Sequence, residues 1–189
     1  MRLFVAIEAP ESWQRAAADV QRRLAEALPP APQRALRPVD PALMHLTLRF
    51  LGEVDERRAE ALQAALDGHV EPFVLDLSLA AAGSFGPASR TSVAWLGVGG
   101  DVEGLRRVAA QVERAVRAAG MPPEGRDWSP HLTLVRVHRS ATAADRRAIA
   151  DAVRSLAPAP EQISAHEALL VRSHLGGRAP RYEVLSRHG

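Results

Sequence analysis

His45-Leu46-Thr47-Leu48 occurs a second time, 86 residues further on, as His131-Leu132-Thr133-Leu134. The chain holds only 7 histidines and four threonines among 189 residues, so a repeat using both is a candidate internal duplication. On a strand, successive side chains point to opposite faces, so His45 and Thr47 share one face and Leu46 and Leu48 the other. The same holds for His131 and Thr133 against Leu132 and Leu134. Each strand then buries its leucines and presents an imidazole and a hydroxyl. Two such strands related by a pseudo-twofold would line one cleft with two histidines and two threonines.

Outward from the repeat, short apolar runs alternate with helical periodicity. Leu3 to Ile7 reads as a strand. A helix from about Trp13 to Leu28 follows Pro10 and stops at Pro29-Pro30. Residues 29–42 hold five prolines and read as an extended connector. Leu43 to Leu51 is a strand closed by Gly52, and Asp55 to Leu66 a helix ended by Asp67-Gly68. Phe73 to Leu79 alternates as a half-buried strand, Gly83 to Ser89 is a loop, and Thr91 to Val98 is a further strand. Val102 to Ala119 is an amphipathic helix and His131 to Val137 a strand. Thr142 to Leu156 is a helix whose Thr142 and Asp145 make an N-cap start. Gln162 to Val171 and Arg181 to Ser186 complete the strands, bridged by Ser173-His174-Leu175-Gly176-Gly177. Several strand pairs are joined by short links. The pattern therefore predicts an α+β fold with antiparallel sheets lining a central cleft and helices outside, as one two-lobed domain over residues 1–189.

Composition narrows the chemistry. Hydrophobic residues at 47% supply a core and argue against disorder. The 24 basic residues, all arginine, against 22 acidic ones leave a net charge of +2, too little for a uniform nucleic-acid coat but compatible with a local basic cleft. Arginine suits phosphate where several converge. With no cysteine, disulfides, thiolate zinc sites, iron–sulfur clusters and cysteine nucleophiles are excluded. No apolar run approaches a membrane span, and Glu8 arrives too soon for a signal-peptide core. The reading is a soluble, cytoplasmic protein of bacterial type, monomeric by default. No dinucleotide or triphosphate fingerprint is present.

Two imidazoles and two hydroxyls on one cleft suit phosphoester cleavage. In-line attack needs a base on the entering oxygen and an acid on the leaving one. Two imidazoles near neutral pH can hold both states at once. The threonine hydroxyls can donate to non-bridging oxygens as charge builds. Chemistry drawn this way uses no metal and no cofactor.

The paired motifs resemble those of the 2H phosphoesterases and, within them, the bacterial RNA 2′,3′-cyclic phosphodiesterases, also called 2′-5′ RNA ligases. The resemblance covers nearly the whole chain: Arg2-Leu3-Phe4-Val5-Ala6-Ile7, His45 to Gly52, Trp95-Leu96-Gly97-Val98, Pro130 to Val137 and Tyr182-Glu183-Val184-Leu185. It implies a two-lobed pseudo-twofold fold with the motifs facing across a groove. It implies hydrolysis of a 2′,3′-cyclic phosphate at an RNA end, tRNA halves among the candidates, to leave a 2′-phosphate. It also implies the ATP-independent joining of such an end to a 5′-hydroxyl through a 2′-5′ bond. By that likeness His45 donates the proton to the leaving 3′ oxygen and His131 accepts one from water, while Thr47, Thr133 and Arg136 hold the phosphate. The chain departs from its relatives at Arg126-Asp127-Trp128-Ser129, where they often carry a basic residue just before the proline.

Strict alternation places Arg136 on the face opposite His131, so that only a bulge or the strand end would turn it into the cleft. Alternation places Arg49 on the His45 face, where the competing reading is a solvated surface residue, and Phe50 on the leucine face as core. His138 and His174 are weighed as metal ligands and lack a convergent carboxylate. His69, His166 and His188 read as surface or core filling, and Trp13, Trp95 and Trp128 as packing, with Trp128 also able to wall the cleft. The arginine pairs at 22–23, 57–58, 106–107 and 146–147 read as solvated helix faces. Two rival functions stay open: a non-catalytic module that binds a nucleotide or RNA end, and a phosphodiesterase for a small cyclic phosphate such as ADP-ribose 1″,2″-cyclic phosphate.

Overall fold

The computed structural model describes residues 1–125, 127–176 and 180–189. Arg126 and Gly177, both singled out in the sequence, lie outside the described residues. In chain order the strands are β1 (Arg2–Glu8), β2 (Leu36–Pro38), β3 (His45–Glu53), β4 (Leu75–Ser84), β5 (Val93–Gly100), β6 (His131–Val137), β7 (Gln162–Ala165), β8 (Ala168–His174) and β9 (Arg181–His188). The helices are α1 (Glu11–Glu26), α2 (Pro30–Arg34), α3 (Glu56–His69), α4 (Val102–Ala118) and α5 (Ala143–Arg154).

These strands form one sheet in the order β7-β4-β5-β6-β3-β1-β8-β9, with β2 also paired to β6, and every pairing is antiparallel. The two motif strands, β3 and β6, meet in the middle, and each leads outward through three further strands. The central seam between them is a single registered pair, Leu46 with Leu132. Both leucines are fully buried.

All four long helices pack on the leucine face. Their apolar stripes (Trp13, Val20 and Leu24 of α1, Leu62 and Leu66 of α3, Leu105 and Val112 of α4, Ile149 and Val153 of α5) join Leu3, Val5, Ile7, Leu48 and Leu134 in one core. Each such side chain contributes about 1.5–3 kcal/mol on burial. The caps are local: Asp55 and Asp101 accept from the backbone of Arg58 and Gly104, and Thr142 with Asp145 forms a reciprocal capping box. A smaller apolar cluster of Phe4, Ala6, Leu169, Val171 and Tyr182 lies on the other face, which the helices leave open.

Several boundaries differ from the sequence reading. The connector over 29–42 is not simply extended: it forms α2, then β2, then a 3-10 turn over Pro41–Leu43 capped by the Asp40 carboxylate. Helix α3 runs through Asp67-Gly68 to His69, held by the bond from the Val70 amide to the Leu66 carbonyl. The expected strand 162–171 is two strands, which pair with β4 and β1 at opposite ends of the sheet. His188 is buried and bonds Asp67 at 2.8 Å and Ser186 at 2.7 Å, tying the last strand to the end of α3. Among the described residues, no helix is long and apolar enough to cross a membrane.

Candidate active site

Antiparallel register about the Leu46–Leu132 pair sets His45 against Thr133 and Thr47 against His131. The two imidazoles therefore stand diagonally across the seam, each opposite the other motif's threonine. His45 and His131 are held alike: each Nδ1 lies against the carbonyl two residues earlier, Leu43 at 2.9 Å and Ser129 at 2.8 Å. A carbonyl only accepts, so Nδ1 carries the proton and the neutral ring keeps its lone pair on Nε2.

Both motif strands bulge one residue after the threonine. In β3 the register passes from Thr47 opposite Ala6 to Arg49 opposite Val5, leaving Leu48 extra. In β6 it passes from Thr133 opposite Trp95 to Val135 opposite Ala94, leaving Leu134 extra. A bulge puts two consecutive residues on one face and inverts the alternation beyond it. Leu134 and Val135 are both buried against the helices, and Arg136 turns into the cleft. The same inversion overturns the alternation reading of β3. Arg49 points to the helix side, where its guanidinium pairs with Glu113 and Glu124, each at 2.9 Å. Phe50 is not core: it stands on the cleft face, 42% exposed, with the Arg2 guanidinium 4.9 Å from its ring centre.

Donors from outside the strands hold both bulges. The Leu134 carbonyl accepts from the Val39 amide at 2.9 Å and from Gln21 Nε2 at 2.7 Å, and the same Nε2 also donates to Val39. The Thr47 carbonyl accepts from Trp128 Nε1 at 3.0 Å. Trp128 thus ties the approach to the second motif onto the strand of the first.

His45, Thr47, Thr133 and Arg136 line one cavity of about 590 Å³, together with Arg2, Phe4, Arg37, Phe50 and Tyr182. His131 is not among its lining residues, but its charge acts on His45, and Arg136 acts on both rings. Burial pushes the His45 imidazole below its ordinary 6.5; the Leu43 carbonyl opposes this, and the positive charges of Arg136 and His131 reinforce it. Burial likewise lowers His131, opposed by the Ser129 carbonyl and reinforced by Arg136. Each ring rests on aromatics. Phe4 stacks on His45 at 4.5 Å and Tyr182 meets it edge-on at 5.3 Å. Phe85 meets His131 edge-on at 4.7 Å, with Trp95 behind at 6.4 Å. Gly83 makes room for that Trp95: a Cβ there would sit 2.5 Å from the indole ring.

The other histidines weighed in the sequence lie elsewhere in hydrogen bonds, His138 to Ser140 at 2.6 Å and His174 to Glu183 at 2.7 Å. Arg146 is not on a solvated face: its guanidinium donates to the carbonyls of Thr91, His138, Arg139 and Ala141. Sequence reasoning missed Arg2, Phe4, Arg37, Phe85 and Tyr182 as site residues. Their positions come from pairing between distant strands and from a loop fold, which no local pattern records.

Residues 9–177 match the family described as the 2′-5′ RNA ligase superfamily. The RNA 2′,3′-cyclic phosphodiesterase of Aeropyrum pernix is 37% identical over 54% of this chain and 57% of its own length, a little over half of that relative. The Escherichia coli protein of the same name is 33% identical over 71% of each chain. Among solved structures, Thermus thermophilus TT0787 superposes with a TM-score of 0.75 at 26% identity, covering 100% of this chain and 97% of that one. E. coli LigT complexed with 3′-AMP superposes with a TM-score of 0.72 at 28% identity, over 98% and 95%. With fold, doubled motif and sequence in agreement, this chain belongs to the 2′-5′ RNA ligase superfamily of 2H phosphoesterase enzymes.

Proposed function

We propose that the chain, acting over residues 1–189 as one two-lobed unit, is an RNA 2′,3′-cyclic phosphodiesterase that yields 2′-phosphate ends. The observation that carries the reading is the register at the seam, which sets two imidazoles diagonally across two threonines beside Arg136. The phosphorus lies over the seam. His131 Nε2 takes the proton from an attacking water as the new P–O bond forms. The bond to the 3′ oxygen breaks, and His45, protonated on Nε2, delivers its proton to that oxygen. Thr47 and Thr133 donate to the non-bridging oxygens, and Arg136 offsets their charge. Phe50 offers its exposed face to the terminal base. With a 5′-hydroxyl in place of water, the same steps join two RNA ends through a 2′-5′ bond without ATP. The shared name of the relatives supports the substrate class, and cytoplasmic RNA, tRNA halves included, is the pool in which such ends arise.

Product analysis on an oligoribonucleotide with a cyclic-phosphate end tests this. The expected product is a 2′-phosphate, formed at an undiminished rate in excess EDTA. A 3′-phosphate product, or loss of activity with EDTA, overturns the mechanism. Binding without product favours a non-catalytic module, and a rate orders of magnitude higher on ADP-ribose 1″,2″-cyclic phosphate moves the substrate away from RNA.

A further inference from the structure

The proline-rich connector places an arginine at the cleft that no pattern in the sequence singles out. Strand β2 pairs with the far half of β6 so that Leu36 faces Val137, Arg37 faces Arg136 and Pro38 faces Val135. Arg37 and Arg136 are thus direct cross-strand neighbours, about 5 Å apart at their Cβ atoms. Both side chains line the cleft cavity. Like charges directly opposite on a sheet repel.

On the other motif strand the protein neutralises an arginine with carboxylates, as Glu113 and Glu124 do for Arg49. Here it does not. Among the described residues neither Arg37 nor Arg136 is ion-paired to a carboxylate. Asp40, the acidic residue of the cavity wall, uses an oxygen to cap the Ala42 amide. One nitrogen of Arg37, Nη1, donates to the carbonyls of Arg34 and Leu36, each at 2.8 Å. Those bonds anchor one end of a guanidinium that lines the cavity and leave its other N–H groups without a carboxylate partner among the described residues. Two guanidinium groups side by side on the cleft wall, neither ion-paired among the described residues, can take more negative charge than one cyclic phosphate carries.

We infer that Arg37, with Arg136, forms a second phosphate subsite, which takes an RNA phosphodiester adjacent to the cyclic phosphate. The inference rests on the proposed RNA substrate. The subsite makes the protein prefer an oligonucleotide over a cyclic mononucleotide. Its phosphate can come from the cyclic-phosphate-ended strand or from the strand bringing a 5′-hydroxyl.

Three measurements on the full chain test it with Arg37→Ala and Arg37→Lys. The first is binding of a trinucleotide ending in a 2′-phosphate, titrated against salt; it needs no turnover, so it stands even if the catalytic reading fails. Arg37→Ala should weaken binding about five- to tenfold at low salt and flatten the slope of log Kd against log salt by about 0.7, one phosphate contact on a single strand. Arg37→Lys should restore most of the slope. The second is the ratio of kcat/KM for a cyclic-phosphate-ended trinucleotide to that for the cyclic mononucleotide. A five- to tenfold fall in the ratio for Arg37→Ala assigns the phosphate to that strand. The third is ligation at varied concentration of a 5′-hydroxyl trinucleotide, where a rise confined to the KM of that strand assigns it there. A salt slope and trinucleotide affinity within twofold of wild type, together with an unchanged KM for the 5′-hydroxyl strand, overturn the subsite.

Discussion

Strands β3 and β6 carry the same tetrapeptide, the same bulge and the same imidazole-to-carbonyl bond, yet the residues beyond the bulge differ. In β6 the first residue past the extra leucine is Val135, which joins the core, and the second is Arg136, which enters the cleft. In β3 the same two places hold Arg49 and Phe50. One duplicated backbone device therefore presents a cation on one lobe and an aromatic face on the other. A cleft that accepts a nucleotide needs both kinds of surface, one for phosphate and one for a base. The helix side registers the difference too, because only β3 sends a guanidinium there, half-buried and paired with two glutamates.

Substitutions probe the likeness of the two strands at several depths. The largest effect belongs to the residues they share: His45→Ala and His131→Ala should each lower kcat by about 10³-fold, and the double variant should be little worse than either single one, as steady-state kinetics on a cyclic-phosphate-ended RNA will read. Next come the residues they do not share. Arg136→Ala should cost about 10²-fold in kcat/KM, with Arg136→Lys recovering part. Phe50→Ala should act through KM on substrates with a terminal base. Smaller is the bulge lock. Gln21→Leu removes one of the two donors to the Leu134 carbonyl, leaving the Val39 amide, and loosens Arg136; the loss of about 1 kcal/mol corresponds to roughly a fivefold rise in KM with little change in kcat. Trp128→Phe is the counterpart on β3. Smallest for activity is Arg49→Leu, which leaves Glu113 and Glu124 facing an apolar chain. It should lower stability by about 2 kcal/mol, seen as a drop of roughly 4–8 °C in Tm, because its guanidinium lies on the helix side.

The elements with local causes were legible in the sequence. Capped helices such as α5, and β6 itself over His131–Val137, fall where periodicity and turn residues place them. The doubled motif identified both imidazoles because a two-residue period needs only four residues to express itself. That period misled one step later, since neither Leu48 nor Leu134 differs chemically from a leucine in a regular strand. The extra residue shows only in the pairing of β3 with β1 and of β6 with β5. The pairing decided Arg49, Phe50 and Arg136 together. The connector was opaque for another reason: Pro38 closes a strand that exists only because β6 offers it an edge.

If two imidazoles work as one acid–base pair on a single phosphorus, the pH dependence of kcat/KM must show it. The base must be neutral and the acid protonated, and kcat/KM reports the free protein. Burial and Arg136 hold both rings below their ordinary 6.5. The expected profile is a bell whose alkaline limb falls below about 6.5, with the kcat profile displaced to higher pH because bound phosphate stabilises imidazolium. His45→Ala and His131→Ala should each erase one limb. A wild-type profile flat through this range, or one that keeps both limbs when either histidine is removed, would contradict it.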